Sequence, residues 1–108
     1  MNVYKLENMT KGWFVGNFSP SAHNADYEIG LKRYIAGNTE QKHHHKLATE
    51  FTVVVLGKIS MNGVLFTDGD IIQVDPFEDV KFECIEDAIT IVFKTISVIG
   101  DKYITESP

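Results

Sequence analysis

The chain has 108 residues, 44% hydrophobic and 23% charged, which predicts a single globular domain over residues 1–108. Its net charge of −5 argues against a nucleic-acid-binding protein, which would normally carry a basic stripe. The longest apolar stretches are far too short to cross a bilayer, and the opening residues lack the apolar segment of a signal peptide.

Short strands separated by turns account for most of the first two thirds of the chain. Alternating residues predict a strand over 26–35. The run 51–56 is rich in β-branched residues and nearly all apolar, which is typical of a strand covered on both sides. Asn62-Gly63 is the strongest hairpin signal, and it separates strands predicted at 58–61 and 64–66.

The remaining third continues this pattern. Strands are predicted over 70–74, 80–85 and 88–96, with a turn at Glu86-Asp87 between the last two. No segment of ten or more residues has a helical period. The fold class is therefore predicted to be all-β, as a barrel or a sandwich.

The residues most suited to chemistry lie between positions 37 and 57. His43 and His45 are two residues apart, so both rings project from the same face of an extended strand, while His44 points the other way. Glu50 can join them only if the intervening residues turn or bulge. Two imidazoles and one carboxylate form the triad used by non-haem Fe(II), which also suits Mn, Ni or Zn. The alternative is a polar strand with exposed histidines.

The full spacing G-x5-H-x-H-x4-E-x6-G over residues 37–57 resembles the first motif of the cupin superfamily. A partial second motif begins at Gly69-Asp70, and Val80 stands where the family has a further metal-binding histidine. The resemblance implies a single-domain, RmlC-like jelly-roll barrel with its core motif region at 37–83. It also implies one divalent transition metal (Fe, Mn, Ni or Zn) bound by His43, His45 and Glu50.

The valine at position 80 leaves three possibilities open for the metal. The site could have three ligands, take a fourth from Cys84 or His23, or be weakened. The resemblance implies that the protein binds or acts on a small oxygen-rich metabolite, sugar-like or keto, as an isomerase, epimerase or dioxygenase. The alternative is a non-catalytic metabolite- or carbohydrate-binding or regulatory module. Segments 13–18 and 97–103 look like a subgroup of short bacterial cupins associated with nucleotide-sugar or polysaccharide genes.

Three further residues on the strand at 26–35 are candidates for binding the ligand: Tyr27, Arg33 and Tyr34. One face of this strand must line the interior, so either Tyr27 with Arg33 or Tyr34 with Lys32 would reach a ligand. Arg33 inside a barrel would need an anionic partner, because an unpaired buried charge is costly.

The remaining expectations concern packing, partners and location. Trp13 and Phe14 are predicted to pack in the core or in an interface, with stacking against a sugar as the alternative. Cys84, the single cysteine, excludes an internal disulfide and is expected to be a small buried hydrophobe. We expect a cytoplasmic homodimer paired through sheet edges, with no nucleic-acid or membrane partner.

Overall fold

A computed structural model describes residues 1–106, which form eight β-strands, one short 3-10 helix at Leu6–Asn8 and no α-helix. The predicted all-β class is confirmed. In the described part of the chain, no helix is long and apolar enough to cross a membrane. The strands are β1 (Trp13–Val15), β2 (Tyr27–Tyr34), β3 (His43–His44), β4 (Thr49–Met61), β5 (Val64–Thr67), β6 (Ile71–Val74), β7 (Phe82–Thr95) and β8 (Tyr103–Ile104).

Six of the strands form one sheet in the order β1-β2-β7-β4-β5, and β6 pairs with the other half of β4. The two remaining strands, β3 and β8, pair with each other. Isolated bridges join Thr39 to Glu83 and His43 to Val80. These bridges lay the segment before β3 alongside the start of β7, so the candidate histidines face the main sheet's long strands.

The hairpin predicted at Asn62-Gly63 is confirmed. Both residues have positive φ angles, 53° and 80°, and Met61 of β4 lies opposite Val64 of β5. Positive φ at both central residues is what a two-residue type I′ turn needs. This turn fixes the register of β5 on β4.

The prediction of a turn at Glu86-Asp87 is wrong. Both residues lie inside β7, because Lys58 of β4 pairs with Glu86 there. Asp87 instead accepts a hydrogen bond from the backbone N–H of Ala36 at 2.8 Å. Pairing across the sheet therefore outweighs the local turn preference of an acidic pair.

The strands predicted at 51–56 and 58–61 form one bent strand, β4. The bend consists of register shifts between Val54 and Ile59. Gly57 lies within it at φ +90°, where a Cβ would come within 2.1 Å of the Asp87 carbonyl oxygen. Only glycine fits this position, which explains the second glycine of the motif.

The core lies at the end of the sheet where β4, β6 and β7 meet. Cys84 belongs to it and is 1% exposed, as expected for a small buried hydrophobe. The buried members are Val54, Ile59, Met61, Val74, Val80, Phe82, Cys84 and Ala88.

The two faces of the main sheet differ in an unusual way. On the outer face, Leu31, Ile91, Val53 and Ile71 lie side by side across β2, β7, β4 and β6. Ile91 and Ile71 are 39% and 69% exposed, so this apolar face is partly open to solvent. The inner face of the same strands carries many polar side chains, including Glu28, Lys32, Tyr34, Glu50, Thr52, Thr90 and Lys94.

Candidate metal and ligand site

A cavity of about 400 Å³ opens on the inner face of the main sheet. The residues of the first motif reach it from two strands, the histidines from the β3 segment and the glutamate from β4. Its lining includes His43, His45 and Glu50, together with Lys32, Tyr34 and Lys94.

The two imidazoles lie side by side, with ring centroids 5.4 Å apart and ring planes 87° apart. His43 Nδ1 lies 2.9 Å from the carbonyl oxygen of Gln41. A carbonyl can only accept, so we assign the proton to Nδ1, which leaves the lone pair of Nε2 free. Burial lowers the pKa of His43, and burial reinforced by Lys94 lowers the pKa of His45 to about 4. Both rings are therefore neutral near pH 7, the form that binds a metal.

Two buried polar atoms in this cavity have no hydrogen-bond partner. They are His45 Nε2 and Thr90 Oγ1, and within residues 1–106 no other buried side-chain nitrogen or oxygen lacks one. Leaving such a group unpaired costs about 1–3 kcal/mol. Both unpaired atoms lie in the same cavity, so the cavity is suited to a polar ligand or a cation.

Asp101 holds the turn that brings Glu50 to the cavity. Its carboxylate accepts hydrogen bonds from the backbone N–H groups of Lys46 at 3.0 Å, Leu47 at 3.2 Å and Ala48 at 3.0 Å. Burial alone would raise the pKa of the Asp101 carboxyl, but these donors lower it overall. The turn lets Glu50 start a new strand, which resolves its odd spacing from the histidines.

Lys94 lies between two carboxylates: Glu50 lines the same cavity, and Glu28 lines a neighbouring one. Its Nζ is 3.8 Å from Glu50 Oε2 and 3.9 Å from Glu28 Oε1. Ser97 donates a hydrogen bond to Glu28 at 2.7 Å and so fixes the second carboxylate. Burial raises the pKa of the Glu50 carboxyl, and Lys94 partly offsets this rise. Any cation that binds Glu50 therefore competes with the Lys94 ammonium.

His44 points away from the cavity, as its position in the strand predicts. Its Nδ1 lies 3.1 Å from Asp79 and 2.9 Å from the Thr105 hydroxyl. Its ring stacks with Tyr103, at a centroid distance of 5.6 Å. Hydrogen bonds from Thr105 and His44 lower the pKa of the Asp79 carboxyl. His44 therefore joins the C-terminal strand to the barrel and is not available to a metal in the cavity.

Val80 lies directly opposite His43. Their backbones exchange two hydrogen bonds, of 3.1 Å and 2.8 Å, and Val80 lines the cavity. Paired residues of antiparallel strands place their side chains on the same face. The position that the family fills with histidine therefore borders this cavity and carries an apolar side chain here.

The structure separates the three predicted ligand-binding residues. Tyr34 lines the cavity beside Lys32, and its hydroxyl donates to Glu40 at 2.9 Å. Burial, with Glu40 adding to it, raises the pKa of Tyr34, so the hydroxyl stays protonated. Tyr27 and Arg33 are exposed on the opposite face of β2 and do not line the cavity. The polar face of β2, with Tyr34 and Lys32, is the interior one.

Neither side chain considered as a fourth metal ligand reaches the cavity. Cys84 is in the core, where its thiol donates to the carbonyl oxygen of Glu86 at 3.0 Å. His23 is exposed and pairs through its backbone with Val15.

The donor set fits a metal ion only in part. Across residues 1–106, no three His, Cys, Asp or Glu side chains converge closely enough to hold an ion. His43 and His45 have the protonation state and the free nitrogen that a metal requires. Glu50 would complete the set of ligands once Lys94 pairs with Glu28 alone.

Sequence reasoning missed two residues that shape the site, Lys94 and Asp101. Lys94 has the same strand parity as Thr90 and Val92, so its face could have been inferred once the interior face was known. Asp101 gave no local signal, because its partners are more than fifty residues away.

No protein-family model matches the chain, and no curated protein matches it in sequence. Solved structures do match. A Klebsiella pneumoniae protein with a double-stranded β-helix domain superposes with a TM-score of 0.67 at 18% identity, over 76% of this chain and 72% of that one. An RmlC-like cupin from Shewanella frigidimarina superposes with a TM-score of 0.62 at 22% identity, over 70% of this chain and 71% of that one.

The bacterial pirin YhhW from Escherichia coli, solved with nickel(II), gives a TM-score of 0.67 at 15% identity. The match covers 81% of this chain but only 39% of the pirin. Together these likenesses show that the chain has the double-stranded β-helix fold of the RmlC-like cupins.

Proposed function

We propose that this protein is a metal-binding cupin whose cavity binds a small oxygen-rich metabolite. The observation that carries the proposal is the pair of buried unpartnered atoms, His45 Nε2 and Thr90 Oγ1, in one cavity. His43, His45 and Glu50 would hold one Fe, Mn, Ni or Zn ion, a donor set that suits these metals. The nickel present in the structurally similar pirin supports a metal in this fold.

Such a metal would act as a Lewis acid toward an oxygen of the ligand. The chain's own contribution is to orient that ligand. Tyr34 offers a protonated hydroxyl held by Glu40, and Thr90 offers an unpaired hydroxyl on the same inner face. An isomerase, epimerase or dioxygenase acting on a sugar-like or keto compound is the enzymatic form of this proposal.

A second candidate function is a non-catalytic binding or regulatory module with a degenerate metal site. The position of Lys94 favours it, because the ammonium already neutralises Glu50. Val80 favours it as well, since it removes a donor from the wall of the cavity. In this form the cavity binds a metabolite or carbohydrate without converting it.

Metal analysis tests the first proposal. The untagged protein, loaded with each divalent metal and desalted, is expected to retain about one ion per chain, and a His45→Ala variant far less. A His44→Ala variant is the matched control, because His44 lies outside the cavity and should leave the stoichiometry unchanged. If the parent and both variants retained the same amount of metal, well below one ion per chain, the metal proposal would be contradicted. The non-catalytic binding module would then be the better account.

A homodimer is part of the proposal, and we propose the apolar outer face of the main sheet as its interface in place of the sheet edges expected from the sequence. Leu31, Ile91, Val53 and Ile71 form an uncharged row across four strands, and Ile91 and Ile71 are open to solvent, so pairing there would remove apolar surface from water. Sedimentation of an Ile91→Asp variant would give a monomer if this face pairs. A dimer unchanged by the substitution would exclude this face.

A cytoplasmic location and a link to nucleotide-sugar or polysaccharide metabolism complete the proposal. The free, buried thiol of Cys84 is compatible with a reducing compartment. The metabolic link rests only on the resemblance of the end segments.

A further inference from the structure

The cavity collects positive charge in an acidic protein. Four lysines line it, Lys11, Lys32, Lys94 and Lys102, whereas the chain as a whole has a net charge of −5. Two carboxylates, those of Glu40 and Glu50, also line it. Lys11 and Lys102 are exposed, and Lys32 and Lys94 are partly buried. The distribution of charge therefore favours an anion inside the cavity.

The two deeper lysines converge on one aromatic ring. The Nζ of Lys32 lies 4.6 Å, and that of Lys94 lies 4.8 Å, from the centre of the Trp13 ring system. The two ammonium groups are therefore less than about 10 Å apart. A carboxylate or phosphate can bridge them with two charge-assisted hydrogen bonds of about 2.8 Å once the flexible lysine side chains bring them within about 8 Å. Gly30 leaves room for the indole, because a Cβ at this position would lie 2.7 Å from the Trp13 ring.

The two lysines differ in how their charge is balanced. Lys94 has Glu28 and Glu50 as partners, whereas Lys32 donates a hydrogen bond only to the backbone carbonyl of Lys11. Burial, with the nearby lysines, lowers the pKa of Lys32 to about 8 even though Glu40 opposes this. A partly buried ammonium without an anionic contact is costly, and a bound anion would offset that cost.

We propose that the ligand of this cavity carries a carboxylate or phosphate group, and that Lys32 and Lys94 bind this group over the face of Trp13. This inference rests on the proposed function of the cavity as a small-molecule site. It names the chemical class of the ligand and does not require the metal. Lys11 and Lys102 at the rim would draw the anion in.

Trp13 is the only tryptophan of the chain, so its fluorescence reports directly on this site. The protein is stripped of metal with EDTA, desalted into a buffer free of carboxylates and phosphate, and titrated with inorganic phosphate, with citrate and with neutral glucose at constant ionic strength. Saturable quenching or enhancement is expected with phosphate or citrate and not with glucose. The Lys32→Gln variant should bind the active anion at least about tenfold more weakly, a loss of roughly 1.4 kcal/mol. The matched control, Lys58→Gln, removes a lysine that does not line the cavity and should bind normally.

The outcomes separate this inference from the metal hypothesis. The inference is supported if metal-free protein binds an anion and Lys32→Gln weakens this binding, whatever the metal analysis shows. The tighter binder of phosphate and citrate then tells whether the ligand group is a phosphate or a carboxylate. No saturable response to either anion would overturn it. Binding that appears only after metal loading, equal in parent and Lys32→Gln, would also overturn it, because the metal would then hold the anion. If Lys32→Gln fails to fold, Lys32→Met keeps the aliphatic stem and is judged by the same criteria.

Discussion

Lys94 Nζ lies 3.8 Å from Glu50 Oε2, so the carboxylate expected to bind a metal is already paired with an ammonium group. The same ammonium lies 3.9 Å from Glu28, whose other carboxylate oxygen accepts a hydrogen bond from Ser97. Glu28 therefore offers Lys94 a second partner. A metal bound at Glu50 would compete with Lys94 for this carboxylate, and this competition would weaken the proposed site.

Replacing Lys94 is expected to strengthen metal binding. In Lys94→Met, Glu50 has no ammonium partner and the incoming cation meets no like charge. Two unit charges about 4 Å apart interact by roughly 1–4 kcal/mol in water-exposed to partly buried surroundings, so we expect Kd to fall at least about tenfold. Calorimetric titration of metal into the two proteins measures the change. Lys58→Met is the control, and an unchanged or higher Kd in Lys94→Met would contradict the competition.

Restoring a histidine at position 80 is expected to strengthen the site by adding a donor. Val80 pairs with His43 and is 9% exposed, so a new imidazole would enter the cavity next to the existing pair. The metal-free Val80→His protein should lose about 1–3 kcal/mol of stability through a buried polar ring. Its melting temperature should rise more on metal addition than that of the parent. Val80→Leu adds bulk without a donor. If metal raised the melting temperature equally in both variants, the placement of residue 80 beside the metal would be wrong.

Asp101 is expected to stabilise the turn that positions Glu50. Asp101→Asn weakens three backbone hydrogen bonds to a charged acceptor, and we expect the free energy of unfolding to fall by about 2 kcal/mol. Urea unfolding measures this loss, and hydrogen exchange at Lys46–Ala48 should accelerate. The exposed Asp68 is a control whose change to Asn should alter stability by less than about 0.5 kcal/mol.

The contribution of Asp101 has a defined pH dependence. Its pKa is lower in the folded protein than in the unfolded chain, where it is about 3.9. The stabilisation is therefore complete above that value and is lost as the pH falls through the folded-state pKa. The difference in free energy of unfolding between the parent and Asp101→Asn should shrink only in acid. A difference that stays constant down to the lowest pH at which the protein is folded would argue against the carboxylate as the acceptor.

Anion binding is expected to weaken as the pH rises from 7 to 9. Lys32 has a pKa of about 8, so its ammonium is lost across this range while an ordinary lysine stays charged. The charged groups that face it are Glu40, Lys11, Lys94 and Lys102. Fluorescence titrations at each pH, with Kd expressed for the fully ionised anion, should give a step in Kd for the parent and none for Lys32→Gln. A step of equal size in both proteins would assign the titration to another group.

The first motif could be predicted from the sequence because its donors are close together. Strand parity put His43 and His45 on one face and His44 on the other, and the structure has this arrangement. The interior face of β2 could not be chosen, because hydrophobicity points the wrong way. Leu31 lies on the open outer face, whereas Lys32 and Tyr34 line the cavity.

Residues that act across long sequence distances could not be predicted. Asp101 meets its partners only through the pairing of the C-terminal segment with the β3 region, and Lys94 meets Glu50 only through the register of β7 on β4. Register is a property of the whole sheet and leaves no local pattern. The same effect made the prediction of a turn at Glu86-Asp87 wrong.

Anomalous diffraction from crystals soaked in Ni²⁺ or Mn²⁺ tests the central claim most directly. We predict one anomalous peak in the cavity at about 2.0–2.2 Å from the free Nε2 atoms of His43 and His45. Glu50 should contribute an oxygen, and Lys94 should pair with Glu28 alone. A cavity without an anomalous peak, in crystals where Lys94 still pairs with Glu50, would contradict the metal site.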